Sequence, residues 1–347
     1  MKPLWLSLLL ITTLGITACS EAPPQIHKAK LFTLGTLVDI SVLHQDEAAT
    51  QQAVAMVEIE LAIINRQWHA WRDSPLTAIN RQLAQGETVT IDAATYRFIK
   101  QAQTLAADSN QLFNPTIGSL VERWGFHSDD RPNSAPPTKE NIDELLKQPP
   151  SMANITLTET TLSSNNPTVQ FDFGAFGKGY AIDRAIEQLK QAGIENAIVN
   201  AGGDLRAIGS KGKQPWRIGV RHPTSAGVIA AIETDGDESV FTSGNYERFF
   251  DFEGKRYHHI IDPRSGYPAN NAISVTVIHH NAATADAAAT ALFIAGVDEW
   301  PQIAQQMGVD KVMLIDEALT IYMTPQMAQR IHIEIDDAQS KVIGNNG

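Results

Sequence analysis

Residues 169–205 read VQFDFGAFGKGYAIDRAIEQLKQAGIENAIVNAGGDL, and this stretch decides the fold class. Val169–Phe173 has the composition of a strand and runs into a turn carrying Gly174, Gly177 and Gly179. The spacing of Ile182, Ala185, Ile186 and Leu189 predicts a helix with one buried stripe, stopped at Gly193. A second apolar strand, 196–201, then meets the paired glycines Gly202 and Gly203. The alternation stops there. Strands are expected near 216–221, 228–234 and 239–242, then hairpin-like material over 249–261, with no helix between them. A strand over 273–278 precedes an alanine-rich helix from Thr284 to Ala295, a further helix ends near Gly308, and a hairpin follows over 312–323. Without regular β-α repetition the chain reads as mixed α+β, with largely antiparallel sheets and packed helices, and not as a doubly wound sheet.

Upstream, residues 30–43 read as a strand interrupted by a turn at Gly35. Residues 46–65 carry Val54, Val57, Leu61 and Ile64 at helical spacing. Asp92 is placed to cap a helix that buries Phe98, Ile99, Ala102, Leu105 and Ala106. Residues 127–138 form a polar, proline-rich loop, after which Thr138 starts a short helix with Ile142, Leu145 and Leu146.

Lys2 and the apolar run from Leu4 to Ile16 fit a signal peptide and are too short to span a bilayer. Ile16-Thr17-Ala18-Cys19 resembles a lipobox, in which Cys19 is lipidated and becomes the first mature residue. Cys19 is the only cysteine, so no internal disulfide forms. The organisation expected is a signal peptide (1–18), a tether (19–29), one large domain (30–335) and a polar C-terminal tail (336–347). The formal net charge of −12 argues against nonspecific nucleic-acid binding. Membrane attachment would run through the lipid alone.

Several segments carry candidate chemistry. In 172–179, three glycines after an apolar segment let backbone N–H groups approach an anion, and Lys178 adds a positive charge; the spacing fits neither a Walker A loop nor GxGxxG. Asn200–Leu205 is a second glycine turn after a strand. His259, in HHIIDPRSGYP, is a titratable group near neutral pH. Asp286 and Thr290 stand one helical turn apart and offer two oxygen donors, which suits Mg²⁺ better than zinc. Leu112–Gly118 with Trp124 and Phe126, and His69 between Trp68 and Trp71, offer rings for stacking. Each segment also has a plain structural reading as a turn, cap or core.

Taken together and in order, these segments resemble the FAD:protein FMN transferase family, the ApbE-type lipoproteins. The matching pieces are LGT (34–36), LFNPTIG (112–118), WGF (124–126), DFGAFGKGYAID (172–183), NAGGDL (200–205), TSGNYERFF (242–250), GKRYHHIIDPRSGYPA (254–269) and TADAAATAL (284–292). The resemblance spans about residues 31–325 and implies a T-fold-related architecture. It implies that FMN is transferred from FAD to a threonine of an acceptor flavoprotein, a subunit of a membrane respiratory complex, with release of AMP. Asp286, Thr290 and the Ala175 carbonyl would hold Mg²⁺. Leu34, Trp71, Leu112, Phe113, Asn114, Asp172, Lys178 and Ile261 would contact FAD, while His259, Lys178 and Asp286 would be catalytic. The site would face the periplasm, with Cys19 anchored in the inner membrane. Leu34 stands where the family usually has Met, Asn114 where it has Asp, and Ala175-Phe176 depart from the usual glycine pattern. A Mg²⁺-dependent FAD pyrophosphatase and a non-enzymatic flavin-binding lipoprotein are the competing readings.

Overall fold

A computed structural model describes residues 24–128, 135–335 and 338–344. The expected signal peptide, Cys19 and the first part of the tether lie outside the described residues. The first strand, β1 (Gln25–Thr33), turns at Leu34-Gly35 into β2 (Thr36–His44). The first strand therefore starts inside the stretch read as tether, because Gln25–Ala29 pair with Ile40–His44. In β2, Val38, Ile40 and Val42 alternate inward, and they meet α1 (Glu47–Gln67) through Val57, Leu61 and Ile64.

A helix not among the expected elements follows, α2 (Pro75–Ala84), started by a Ser74–Thr77 capping box. Then come β3 (Val89–Thr90), α3 (Ala93–Asp108) capped by Asp92, α4 (Gly118–Arg123) and α5 (Lys139–Leu146) capped by Thr138. β4 (Ile155–Leu157) and β5 (Thr161–Ser164) join β3 in a small sheet.

Residues 169–173 are not a strand. The Phe171 backbone is satisfied on both sides by the side-chain amide of Asn80 on α2, which accepts from its N–H (2.8 Å) and donates to its C=O (2.9 Å). Gln170 and Asp172 bond instead to the 115–118 loop: Gln170 N–H to Thr116 O (3.2 Å), Asp172 N–H to Pro115 O (2.8 Å) and Gly118 N–H to Gln170 O (2.8 Å). The glycine turn is thereby fastened to the Asn114–Gly118 segment.

Beyond it, α6 (Gly177–Gln191) leads to β6 (Ala197–Ala201), β7 (Asp204–Ile208), β8 (Arg217–Arg221), β9 (Val228–Glu233), β10 (Glu238–Gly244), β11 (Phe249–Phe252), β12 (Lys255–His258) and β13 (Ser274–His279). α7 (Ala282–Gln306) is broken at Gly296, whose φ of 66° lies in the left-handed region. The chain closes with β14 (Lys311–Ile315), β15 (Ile321–Met323), α8 (Pro325–Ala328), β16 (Ile331–Ile333) and β17 (Ser340–Val342). β17 lies in the stretch read as a polar tail and pairs parallel with β15.

The central sheet has nine strands, ordered β1-β2-β6-β7-β10-β13-β14-β15-β17, and every pair except the last is antiparallel. Its two faces are buried differently. Val38, Val199, Val275 and Leu314 face α1, α3, α6 and α7 in the main core. Leu205, Val240, Ile278 and Met313 face the β16-β9-β8 sheet through Ile218, Ile229 and Ile232. This is the mixed, largely antiparallel α+β architecture expected. Among the described residues no helix is long and apolar enough to cross a membrane.

Candidate active site

The site is built where α6 meets α7. Phe176, the residue preceding α6, contributes no side-chain cap; Gly177 N–H is satisfied by the Phe173 carbonyl (2.6 Å), and the N–H groups behind it need acceptors from elsewhere. Asp286 of α7 supplies one: its Oδ2 accepts from Gly179 N–H at 2.9 Å. Only glycine permits this approach, because a Cβ on Gly179 would lie 2.3 Å from the Ala282 carbonyl oxygen. Asp286 is 5% exposed. Burial, reinforced by the charge of Asp204 and opposed by that of Lys178, pushes its carboxyl up to about 7.

Lys178 stands one residue earlier and forms an ion pair with buried Asp204, the first residue of β7. Burial favours the neutral amine, but Asp204 and Asp286 outweigh it and raise the Lys178 pKa, so the ammonium stays charged. Asp204 Oδ1 also accepts from Thr242 N–H (3.0 Å). Thr290, partly buried one turn along α7, meets the Ser243 hydroxyl at 3.2 Å. Ala175 lies in the turn just before Phe176 and packs against the main core.

The two adjacent histidines are used differently. His258 is buried, with Nε2 donating to Ala269 O (2.6 Å) and Nδ1 accepting from Ile260 N–H (3.3 Å); both nitrogens serve the fold. His259 donates from Nδ1 to the Arg248 carbonyl (3.2 Å), which leaves the Nε2 lone pair as its basic position. Burial, together with the nearby Arg248 charge, lowers its pKa to about 3, and the charge of Lys178 adds to the effect. The lysine and this imidazole therefore share one electrostatic neighbourhood.

Asp172 lies on the same side. Its Oδ1 accepts from Gly174 N–H (2.8 Å). Burial raises its pKa, against the Gly174 bond, the Arg248 charge and a hydrogen bond from the Trp71 side chain. Trp71 also stands 5.6 Å from the His127 ring.

The structure thus brings together Trp71, Asp172, Lys178, His259, Asp286 and Thr290. It treats the other expected flavin contacts differently. Leu34 sits in the β1–β2 turn with φ of 54°. The Leu112, Phe113 and Ile261 side chains are buried, so main-chain atoms are what these residues can offer a ligand. The Asn114 side chain is engaged internally, donating to Pro150 O (2.9 Å) and accepting from Thr116 N–H (3.1 Å) and Oγ1 (2.6 Å). Ser243 and Arg248 carry no sequence signal of their own, and Asp204 has only that of a turn residue. Their roles depend on partners far along the chain, and no local pattern marks them.

Asp286 and Thr290 offer a carboxylate and a hydroxyl one helical turn apart on α7. Among the described residues no group of three or more His, Cys, Asp or Glu is placed to hold a metal ion. The carboxylate and hydroxyl are oxygen donors, which suit a hard cation that keeps most of its shell for water or phosphate.

The ApbE family profile matches residues 34–313. The chain is 39% identical to a FAD:protein FMN transferase of Rhodobacter capsulatus over 91% of its own length, and spans 60% of that protein. It is 31% identical to the FAD:protein FMN transferase of Vibrio cholerae serotype O1, covering 88% of this chain and 92% of that one. Among solved structures, an ApbE protein from Thermotoga maritima superposes with a TM-score of 0.81 at 35% identity, covering 88% of this chain and 99% of that one. The flavin transferase ApbE from Vibrio cholerae gives 0.78 at 28% identity, over 89% and 100% of the two chains.

Proposed function

This chain belongs to the ApbE family, and on that premise we propose that it transfers FMN from FAD to a threonine hydroxyl of an acceptor flavoprotein, releasing AMP. One observation carries the reading. A buried carboxylate, Asp286, with its pKa raised towards neutrality, sits one turn from Thr290 and beside the Lys178 ammonium at a glycine turn. Such a carboxylate is costly in isolation and is relieved by a cation.

Asp286, Thr290 and the Ala175 carbonyl would hold Mg²⁺, which when bound neutralises phosphate charge and polarises the phosphoryl oxygens. The chain's own groups do the rest. Lys178 would hold a positive charge beside the pyrophosphate; the N–H groups of Gly174, Phe176, Gly177 and Gly179 in the glycine turn are already spent on Asp172, Phe173 and Asp286. His259 Nε2 takes the proton from the threonine hydroxyl as its oxygen forms the new bond to the FMN phosphorus. The bond from that phosphorus to the AMP oxygen breaks, and AMP leaves with the bonding pair. Trp71 and Asp172 would hold the flavin half.

The acceptor is proposed to be a subunit of a membrane respiratory complex facing the periplasm, with this enzyme anchored beside it at the inner membrane through Cys19. Incubation with FAD, Mg²⁺ and a threonine-bearing acceptor tests the reaction. Flavin fluorescence should stay with the acceptor on a denaturing gel and disappear when its threonine is replaced by alanine. Free FMN with no labelled acceptor identifies a pyrophosphatase; FAD binding with no AMP release identifies a carrier.

A further inference from the structure

We propose that Asp183 is a positioning residue for the cation site, acting through α7; this rests on the proposed role of Asp286 and Thr290 as ligands. Asp183 closes the DFGAFGKGYAID segment, and nothing in the reaction above uses it. Its side chain is 14% exposed. Oδ1 accepts from Ala282 N–H (2.9 Å), and Oδ2 accepts from Ala283 N–H (3.0 Å) and Asn281 Nδ2 (2.7 Å).

Those partners are the start of α7. Asn281, its N-cap, already spends Oδ1 on the Thr284 N–H (2.9 Å) and hydroxyl (2.8 Å). The first two helical N–H groups would be orphaned without Asp183. In return, Asp286 of α7 takes the Gly179 N–H of α6. Each helix therefore caps the other with one aspartate, which fixes α7 against sliding along α6. The contact has no slack, because Gly179 abuts the Ala282 carbonyl.

Asp183 is itself fixed. Arg206 of β7 pairs with it, and that guanidinium is gripped by Asp237 through Nε (2.7 Å) and Nη2 (2.9 Å). The position of Asp286 and Thr290 is thus referred to the central sheet through Asp183. Trp71, Asp172 and His259 stand on other segments. Loss of Asp183 should disturb the cation ligands and spare the flavin contacts.

The test is Asp183→Asn in the full chain. The amide is the same size but turns a donor toward N–H groups. Mg²⁺ binding is measured by titration calorimetry, with and without saturating AMP, and FAD binding by fluorescence quenching in EDTA. The Mg²⁺ Kd should rise by about 10- to 100-fold, as for other groups that orient metal ligands. FAD affinity in EDTA should be unchanged, and transfer should recover at saturating Mg²⁺. A folded variant with wild-type Mg²⁺ affinity, even with a lowered Tm, overturns the proposal. If the wild-type protein binds Mg²⁺ under neither condition, the cation reading of Asp286 fails instead. Should Asp183→Asn not fold, Arg206→Gln decides: it keeps the capping carboxylate but frees it from the sheet. The expected result is a smaller loss of Mg²⁺ affinity in the same direction; no loss in a folded protein rejects the proposal.

Discussion

His259 is joined to Arg248 twice, its amide N–H (3.0 Å) and its Nδ1 (3.2 Å) both donating to the one Arg248 carbonyl oxygen. The backbone bond fixes the strand end, and the side-chain bond fixes the tautomer. With its pKa held at about 3, the imidazole is the neutral base throughout the working range. His259→Asn should therefore lower kcat by roughly 10²–10⁴-fold with FAD binding retained. In the wild type, no acid limb of the kcat/KM profile should come from His259; a limb near pH 7 from Asp286, whose carboxyl is pushed up to about 7, should persist in His259→Asn. An acid limb in that region that vanishes in His259→Asn would contradict the assignment.

Asp286→Ala removes both a proposed cation ligand and the acceptor for Gly179 N–H. Transfer should be abolished while the protein still folds. The lost cap costs about 1 kcal/mol, partly offset because a buried acid has gone. Circular dichroism and gel fluorescence on one preparation separate the two effects. Full Mg²⁺-dependent transfer by this variant would sink the metal assignment.

Gly179→Ala tests the spacing of the same two helices. The added methyl meets the backbone of Ala282, which cannot rotate away. A loss of about 1–3 kcal/mol is expected from overpacking, together with weakened Mg²⁺ dependence. Thermal melts with and without the ion measure both.

A fourth expectation lies away from the site. Glu238 is buried, which alone would raise its pKa. The Arg330 fork (2.8 Å to each carboxylate oxygen), the Asp235 N–H (2.8 Å) and Lys311 outweigh burial and hold it below the ordinary carboxylate value. Its contribution is complete above the unfolded pKa and fades as pH falls through the lowered folded value. Arg330→Met strands that charge and should cost about 3 kcal/mol at neutral pH. Denaturant midpoints at about pH 7 and about pH 4 should converge in acid, where Glu238 is protonated in the variant. A gap independent of pH would show that the ion pair is not its source.

Much of this molecule is legible in its sequence. The capping aspartate at Asp92, the stripe on α6 and the Asp286–Thr290 spacing are local signals, and the helices follow them. The segment 169–173 misled because strand composition reports burial and not pairing. Phe171 is as buried as a strand residue, yet Asn80 and the 115–118 loop satisfy the backbone of this stretch. α2 carries the same kind of local signal, with Ser74 and Pro75 at its start and Leu76, Ile79 and Leu83 along its buried side. The ties of Lys178 to Asp204 and of His259 to Arg248 have no signature at either end, since each partner is ordinary until the sheet is assembled. Asn114 shows the opposite case. Its amide fills a local role around Thr116 and Pro150 that an Asp would fill differently, because a carboxylate cannot donate to the Pro150 carbonyl.

The break at Gly296 divides α7 into two lengths with unequal tolerance for change. From Ala282 to Ala295 the helix is buried almost all round and carries mainly alanine, so nearly every position acts as a spacer whose enlargement would be felt at Asp286. At the break itself a Cβ would collide with Asn271, 2.1 Å from that residue's own Cβ. Past it, Asp298 and Glu299 face solvent. A saturation library across this helix should thus find the chemistry-bearing half nearly frozen, whereas past the glycine tolerance alternates, with Asp298 and Glu299 free to change and Trp300, Ile303 and Ala304 held by the core.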